Sequence, residues 1–188
     1  MQVTAGTELV PFQVPMNPRL VLAPAPREPF QDSLVAVTDD PEAVTLLFTA
    51  FNRWLEEDWG FAHQDRIFAA PYFTLVDVDW ACAELEWAIE RGARTIVTRP
   101  AAATTRDGQR SPGDPTFDPF WARVNEAGLT VVVHAGDSGY TAHGYARDGF
   151  TTDFGGVPQP IRMLQLERPV EDWLSALVCD NLFHRFPN

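Results

Sequence analysis

The chain has 188 residues, 45% of them hydrophobic. That suffices for one substantial core, burying roughly 70% of the surface an unfolded chain exposes, so a single domain is the default. The 26 acidic side chains outnumber the 14 basic ones for a formal charge of −12, which repels phosphate backbones and anionic lipid and excludes nucleic acid and membrane surfaces as partners.

Residues 1–38 are interrupted by Pro11, Pro15, Pro18, Pro24, Pro26 and Pro29 and show little periodicity, so they read as an irregular segment with one candidate strand, Leu20 to Ala23. No basic region followed by an apolar one opens the chain, and no apolar run approaches the ~20 residues of a membrane span, so a cytoplasmic protein is expected. The regular part is 39–188. Asp39-Asp40-Pro41-Glu42 supplies an N-cap, a first-turn proline and an early acid, and Val44, Leu47, Phe48, Phe51 and Leu55 recur at helical spacing. Ile67 to Phe73 reads as an apolar strand. Asp77 or Asp79 then caps a second helix, carrying Leu85, Ala88 and Ile89 and stopped by Gly92. Arg94 to Arg99 is the next strand, Phe117 to Ala127 a helix stopped by Gly128, and Leu129 to Val133 another strand. Val170 to Phe186, with Trp173, Leu174, Leu177, Val178 and Leu182, makes the last helix. This alternation predicts an α/β fold with a parallel sheet and right-handed crossovers. Cys82 and Cys179 both fall in helical segments without metal spacing and read as buried core thiols in a reducing compartment.

The strand Leu129 to Val133 is apolar without polar alternation, as in a strand covered on both faces, and it ends on His134 before the turn Ala135-Gly136-Asp137. In α/β proteins ligands collect at the carboxyl ends of parallel strands. An imidazole there can bind a divalent metal, move a proton or hydrogen-bond a loop, and taken alone the structural role is favoured, since one histidine is not a metal site. Two long loops, Pro100 to Thr116 and Ala135 to Pro169, follow strands and belong to the same rim. Glu56, Glu57 and Asp58 are consecutive, so they diverge around the helix axis and read as a solvated face. The tryptophans lie on or beside helices, where packing accounts for them.

The ordered combination of Phe51-Asn-Arg-Trp-Leu-Glu-Glu-Asp-Trp59-Gly60, Gln64-Asp-Arg-Ile-Phe68-Ala-Ala-Pro71, Glu84-Leu-Glu-Trp87 through Arg91-Gly-Ala93, Ser111-Pro-Gly-Asp-Pro115, Phe117-Asp-Pro-Phe-Trp121 and His134-Ala-Gly-Asp-Ser-Gly-Tyr140 resembles the amidohydrolase-related family. The likeness is to its aminocarboxymuconate semialdehyde decarboxylase branch and covers 39–188. It implies a TIM (β/α)8 barrel with a divalent metal, zinc first, at the strand carboxyl ends. The ligands implied are a His-x-His pair from the first strand, a histidine from the fifth and an aspartate from the eighth. His134 matches the fifth-strand histidine. The chain contains no His-x-His, and His63, His143 and His184 are isolated. A complete barrel needs about 250 residues. The expectation is therefore a partial barrel with about half the strands, truncated at both ends, whose open edges call for a homo-oligomer or a complementing chain.

The resemblance implies metal-assisted hydrolysis of an ester, lactone or amide, or non-oxidative decarboxylation, on a small carboxylated or cyclic metabolite. Arg99, ending its strand on the rim of His134, suits a substrate carboxylate, although the residues alone favour a loop-anchoring ion pair. Asp137 and Tyr140 read either as substrate contacts, with Asp137 also able to orient His134, or as turn residues. His143 reads as a solvated loop histidine. No catalytic residue is assigned. The alternative is a non-catalytic remnant or a small-molecule-binding module without metal.

Overall fold

The computed structural model describes residues 40–134 and 160–188, the side chains of 160–167 excepted. Helix α1, Pro41–Trp59, starts where the sequence places it: the Asp40 carboxylate accepts from the Glu42 N–H at 3.0 Å, and Pro41 occupies the first turn. Its N-terminal half buries Thr45 and Phe48 and leaves Leu46 and Leu47 exposed. Gly60 ends it at φ +68, a conformation that costs a residue with a Cβ. Helix α2, Val78–Glu90, is capped by Asp77, whose carboxylate accepts from Trp80 N–H at 2.9 Å, and its buried stripe is Ala81, Glu84, Leu85 and Ala88.

The expected strand Ile67 to Phe73 shrinks to a single parallel bridge between Tyr72 and Val97. The reason lies at both of its ends. Ile67 is consumed by a tight turn with His63, in which Gln64 and Asp65 take positive φ, and Pro71 has no N–H to give. What remains is well made: Val97 N–H donates to Pro71 O at 2.9 Å and Phe73 N–H to Val97 O at 2.8 Å. Strand β1, Thr95–Thr98, follows, and the loop expected from Pro100 to Thr116 contains a small antiparallel hairpin, β2 (Ala103–Thr105) and β3 (Gly108–Arg110).

A 3-10 turn, Pro115–Phe117, leads into α3, Asp118–Glu126, and strand β4, Thr130–Val133, pairs in parallel with β1. The parallel order is thus the Tyr72 segment, β1 and β4. Helix α4, Pro160–Cys179, begins ten residues before the Val170 start that the sequence suggests and runs through Pro169. An interior proline costs one helical hydrogen bond and normally reads as a boundary, but here Pro169 is itself fully buried and Trp173 and Leu177 after it are seated in the core. The helix stops at Asp180, Asn181 takes a left-handed φ of +59, and a short α5, Leu182–Arg185, completes the described chain. Cys82 is half-buried and Cys179 exposed, so the reading of both as core thiols fails for Cys179. No helix of the described residues is long and apolar enough to cross a membrane.

Strand alternation divides the sheet into two faces. Phe73, Ile96, Val131 and Val133 turn to the helices and join Leu85, Phe117, Phe120, Trp121, Val124 and Trp173 in one core. Each of the largest buried side chains there, such as Phe73 or Ile96, stabilises the fold by ~1.5–3 kcal/mol. Tyr72, Val97 and Val132, partners in register, occupy the other face, which continues to Arg99 and His134.

Asp114 caps the 3-10 turn, and the Thr116 hydrogen bonds, chiefly, with help from Arg110, hold its carboxyl below the ordinary aspartate range against a small opposing effect of burial. A carboxylate whose pKa is lowered by folding adds stability above its unfolded pKa and loses it as pH falls through the folded value. Asp114→Ala should therefore cost under about 1 kcal/mol at neutral pH, and the difference from wild type should vanish in acid melts. A gap that persists at low pH would mean that the cap acts otherwise than through its charge.

Candidate functional site at the strand carboxyl ends

The register carries the geometry. Thr98 pairs with Val133, and the ladder runs one step further as His134 N–H donates to Thr98 O at 2.9 Å. Arg99 and His134 therefore stand side by side at the carboxyl ends of β1 and β4, one layer above Val97 and Val132, on the face away from the helices. Both are half-buried. Tyr72 joins them from the third segment, its ring centroid 6.4 Å from that of His134. Burial raises the Tyr72 phenol above its ordinary range, and the Arg99 charge works weakly the other way, so the hydroxyl keeps its proton at neutral pH. The result is a rim with a cation, an imidazole and a phenol O–H over an apolar floor.

Tyr72 sits on an unusual support. Its N–H and C=O point away from β1, and both are taken by one side chain, the carboxamide of Asn52 in α1: Tyr72 N–H donates to Asn52 Oδ1 at 2.8 Å, and Asn52 Nδ2 donates to Tyr72 O at 3.0 Å. The amide does there what a neighbouring strand would do. The second Asn52 N–H goes to Glu84 Oε1 at 3.0 Å, and Arg53 forks onto both Glu84 oxygens at 2.8 and 2.9 Å. The Arg53 guanidinium lies 3.3 Å from the centre of the Trp87 ring. Glu84 is only 4% exposed, so this carboxylate depends on its two donors. The Asn52, Arg53, Glu84 and Trp87 of the sequence motifs thus form one chain, buried at Asn52 and Glu84 and half-buried at Arg53 and Trp87, that ends on the Tyr72 backbone.

The Ser111-Pro-Gly-Asp motif is also structural. Ser111 Oγ donates to Asp180 Oδ2, Trp121 Nε1 to Pro112 O at 2.8 Å, and Arg185 Nη2 to Gly113 O at 2.7 Å, with Arg185 also paired to Asp118 at 3.0 Å. The motif fastens the loop after β3 to the end of α4.

Of the candidate residues, the structure brings Arg99 and His134 together; Asp137, Tyr140 and His143, like the candidate strand Leu20 to Ala23, lie outside the described residues. His63 and His184 are exposed and remote in sequence from this rim. Glu57 and Asp58 are exposed, as a solvated face requires. Tyr72 is the residue that sequence reading passed over. Its signal is there in retrospect, one place of alternation from the buried Phe73, but the register to Val97 is needed to see that it shares a face with Arg99.

A family model described as Amidohydrolase matches residues 14–188. This chain belongs to the amidohydrolase family. No curated protein matches it. Among solved structures it is similar to the amidohydrolase map2389c of Mycobacterium avium subsp. paratuberculosis K-10, at 37% identity and a TM-score of 0.68, over 79% of this chain and 37% of that one. It is also similar in fold to a 2,6-dihydroxybenzoate decarboxylase solved with 2,6-dihydroxybenzoate, at 19% identity and a TM-score of 0.60, over 82% of this chain and 45% of that one. The chain thus spans less than half the length of either structure. Both have the amidohydrolase-type TIM-barrel fold, and in barrels of that kind ligands gather at the carboxyl ends of the strands. Arg99 and His134 stand at strand carboxyl ends here, with Tyr72 on the same side of the sheet.

Amidohydrolases are typically metal-dependent, so the donors near His134 bear on that chemistry. Among the described residues no group of three or more His, Cys, Asp or Glu could hold a metal ion. The neighbour of His134 in register is a guanidinium, which repels a cation. The described residues do not fit a divalent metal centre.

Proposed function

We propose that this amidohydrolase-family chain forms the anion-binding part of a partial (β/α)8 barrel, about half its strands, for hydrolysis or non-oxidative decarboxylation of a small, carboxylated or cyclic metabolite. The observation that carries the reading is the placement of Arg99 beside His134 on the functional face. A half-buried guanidinium at a strand end binds a carboxylate bidentately and holds it in one plane. His134, as the fifth-strand histidine of the family pattern, accepts or donates a proton at the imidazole, and it is the ligand this chain offers to a divalent ion, zinc first, where other segments or a complementing chain bring further donors. No step of the reading runs through that ion. The second reading, a carboxylate-binding module without metal, is favoured by the donor set around His134 and by the lack of a His-x-His pair.

The decarboxylase to which the chain is similar in fold holds 2,6-dihydroxybenzoate, and this compound is the first probe. Titration into the wild type, followed by intrinsic fluorescence, should show saturable binding, and Arg99→Ala should weaken it at least about tenfold through loss of a charge-assisted pair. Metal analysis of gel-filtered wild type and His134→Ala separates the two readings. About one divalent ion per chain, lost in the variant, selects the metal-dependent enzyme; folded protein that binds the probe without metal selects the module. No binding to the wild type would end both.

A further inference from the structure

Among the described residues Tyr72 lies on the outermost strand segment of the parallel order, the place where a sheet offers backbone N–H and C=O groups to a strand of another molecule. Here the pairing is a single bridge. Pro71 O and Phe73 N–H bond inward to Val97, so the bridged groups that face away from β1 are those of Tyr72. Before it the chain is closed into the turn of His63 and Ile67, and after it Thr74 Oγ accepts from Val76 N–H at 3.3 Å as the backbone bends away.

That outward pair is taken by Asn52. A carboxamide has the donor, the acceptor and the planarity of a peptide group, and Asn52 uses both, accepting from Tyr72 N–H at 2.8 Å and donating to Tyr72 O at 3.0 Å. Its orientation is set by chemistry. Nδ2 donates to two acceptors, Tyr72 O and Glu84 Oε1, and the oxygen end of the amide could serve neither. Glu84 is held in turn by the Arg53 fork, which lies against Trp87, and Phe48, one turn before Asn52 on α1, rests on the Tyr72 ring at a centroid distance of 5.0 Å. One helix thus covers this edge and supplies its last hydrogen bonds.

The covered segment is one that needs cover. From Ala69 to Val76 it carries no charged residue, and Tyr72-Phe73-Thr74-Leu75-Val76 is a run of aromatic, β-branched and aliphatic side chains that favours extended structure and strand addition. Pro71 blocks its amino side alone. The net charge of −12 keeps two copies apart through repulsion that salt screens beyond about 8 Å at physiological ionic strength, which leaves a local contact open.

We propose that Asn52 is an edge guard: its carboxamide stands in for a strand at Tyr72 and so prevents a strand from a second copy of this chain from adding to the sheet there. Glu84 and Arg53 hold the guard in place. The device is independent of the anion-binding reading above, since none of its residues needs a ligand.

The test compares the full-length wild type with Asn52→Ala and with Gly113→Ala, whose clash with Asp180 lowers stability at another place in the fold. Size-exclusion chromatography with light scattering is run over a range of concentrations at physiological salt, with urea adjusted so that the two variants have equal unfolded fractions. Asn52→Ala should associate, reaching at least about twice the wild-type mass at high concentration, while Gly113→Ala should match the wild type. Amide exchange localises the contact: Tyr72 N–H should exchange faster than in the wild type when Asn52→Ala is dilute, and become protected again as the variant associates. Asn52→Ser, too short to reach both groups of Tyr72, is read in the same way if the alanine variant does not fold. Wild-type mass at every concentration overturns the proposal. Equal association of Gly113→Ala overturns it too, because lost stability would then be the cause, and so does association without renewed protection at Tyr72, which would place the contact elsewhere.

Discussion

Asn52→Leu should lower the unfolding free energy by about 3–5 kcal/mol, a large fraction of the ~5–15 kcal/mol that holds a typical domain together. Leucine keeps the branching and heavy-atom count of asparagine but is bulkier, so crowding at this buried site adds to a loss that is mainly one of hydrogen bonds. Three disappear at once: the two that the Asn52 carboxamide makes with the N–H and C=O of Tyr72, and the one it gives to Glu84. Asn52 is fully buried and Tyr72 nearly so, so water cannot take over these groups without opening the sheet edge. A buried backbone group left unpaired costs ~1–3 kcal/mol, and two are left. Glu84, 4% exposed, would keep only Arg53. The measurement is a urea titration of both proteins, with a melting temperature lower by roughly 10 °C as the companion sign. A loss below about 1 kcal/mol would show that another group already closes the edge at Tyr72.

The same chain predicts an asymmetry. Arg53 is 36% exposed and Glu84 is 4% exposed, so removing the arginine strands a buried carboxylate, whereas removing the glutamate lets the guanidinium reach water. Arg53→Met should therefore be the more damaging of the two single replacements by methionine.

Gly113→Ala is the second large effect, about 2–3 kcal/mol by overpacking. A Cβ on Gly113 would lie 2.7 Å from Asp180 Cβ and 2.8 Å from its Oδ2, and the first of these is next to the backbone and cannot swing aside. Relief requires the loop and the end of α4 to part. That motion breaks the Ser111 to Asp180 contact and the Arg185 bond to Gly113 O, which together fasten the motif. The check is a double-mutant cycle: in an Asp180→Gly background, which removes the offending carbon, the added cost of Gly113→Ala should shrink to about 0.5 kcal/mol or less. An undiminished cost would mean that the strain arises in the loop itself.

Asp40 and Asp77 show what short-range signals can do. Each is followed by an apolar run at helical spacing, each caps its helix in the structure, and no distant residue is needed to know it. Pro169 shows where such signals fail. Locally it forbids a helix, yet α4 runs through it, because the core contacts of Trp173 and Leu177 outweigh one lost hydrogen bond. The hairpin after β1 was hidden for the opposite reason: its strands are three residues each, too short to show a period. Asn52 and Glu84 were visible only as letters in a family pattern. A polar residue on a helix reads as a surface residue until the structure shows it buried with its partners.

The sequence by itself determined the α/β class, the two capped helices, the parallel strands that end on Arg99 and His134, and the likeness to the amidohydrolase family, since all of these follow from periodicity, capping chemistry and residue order along the chain. Only the tertiary structure decided that Tyr72, Arg99 and His134 share one face, and that Asn52, Arg53 and Glu84 form the support beneath it. Register and burial arise from contacts between residues about 20 to 35 places apart, and a slip of one residue in any strand would send the same side chains to the opposite face.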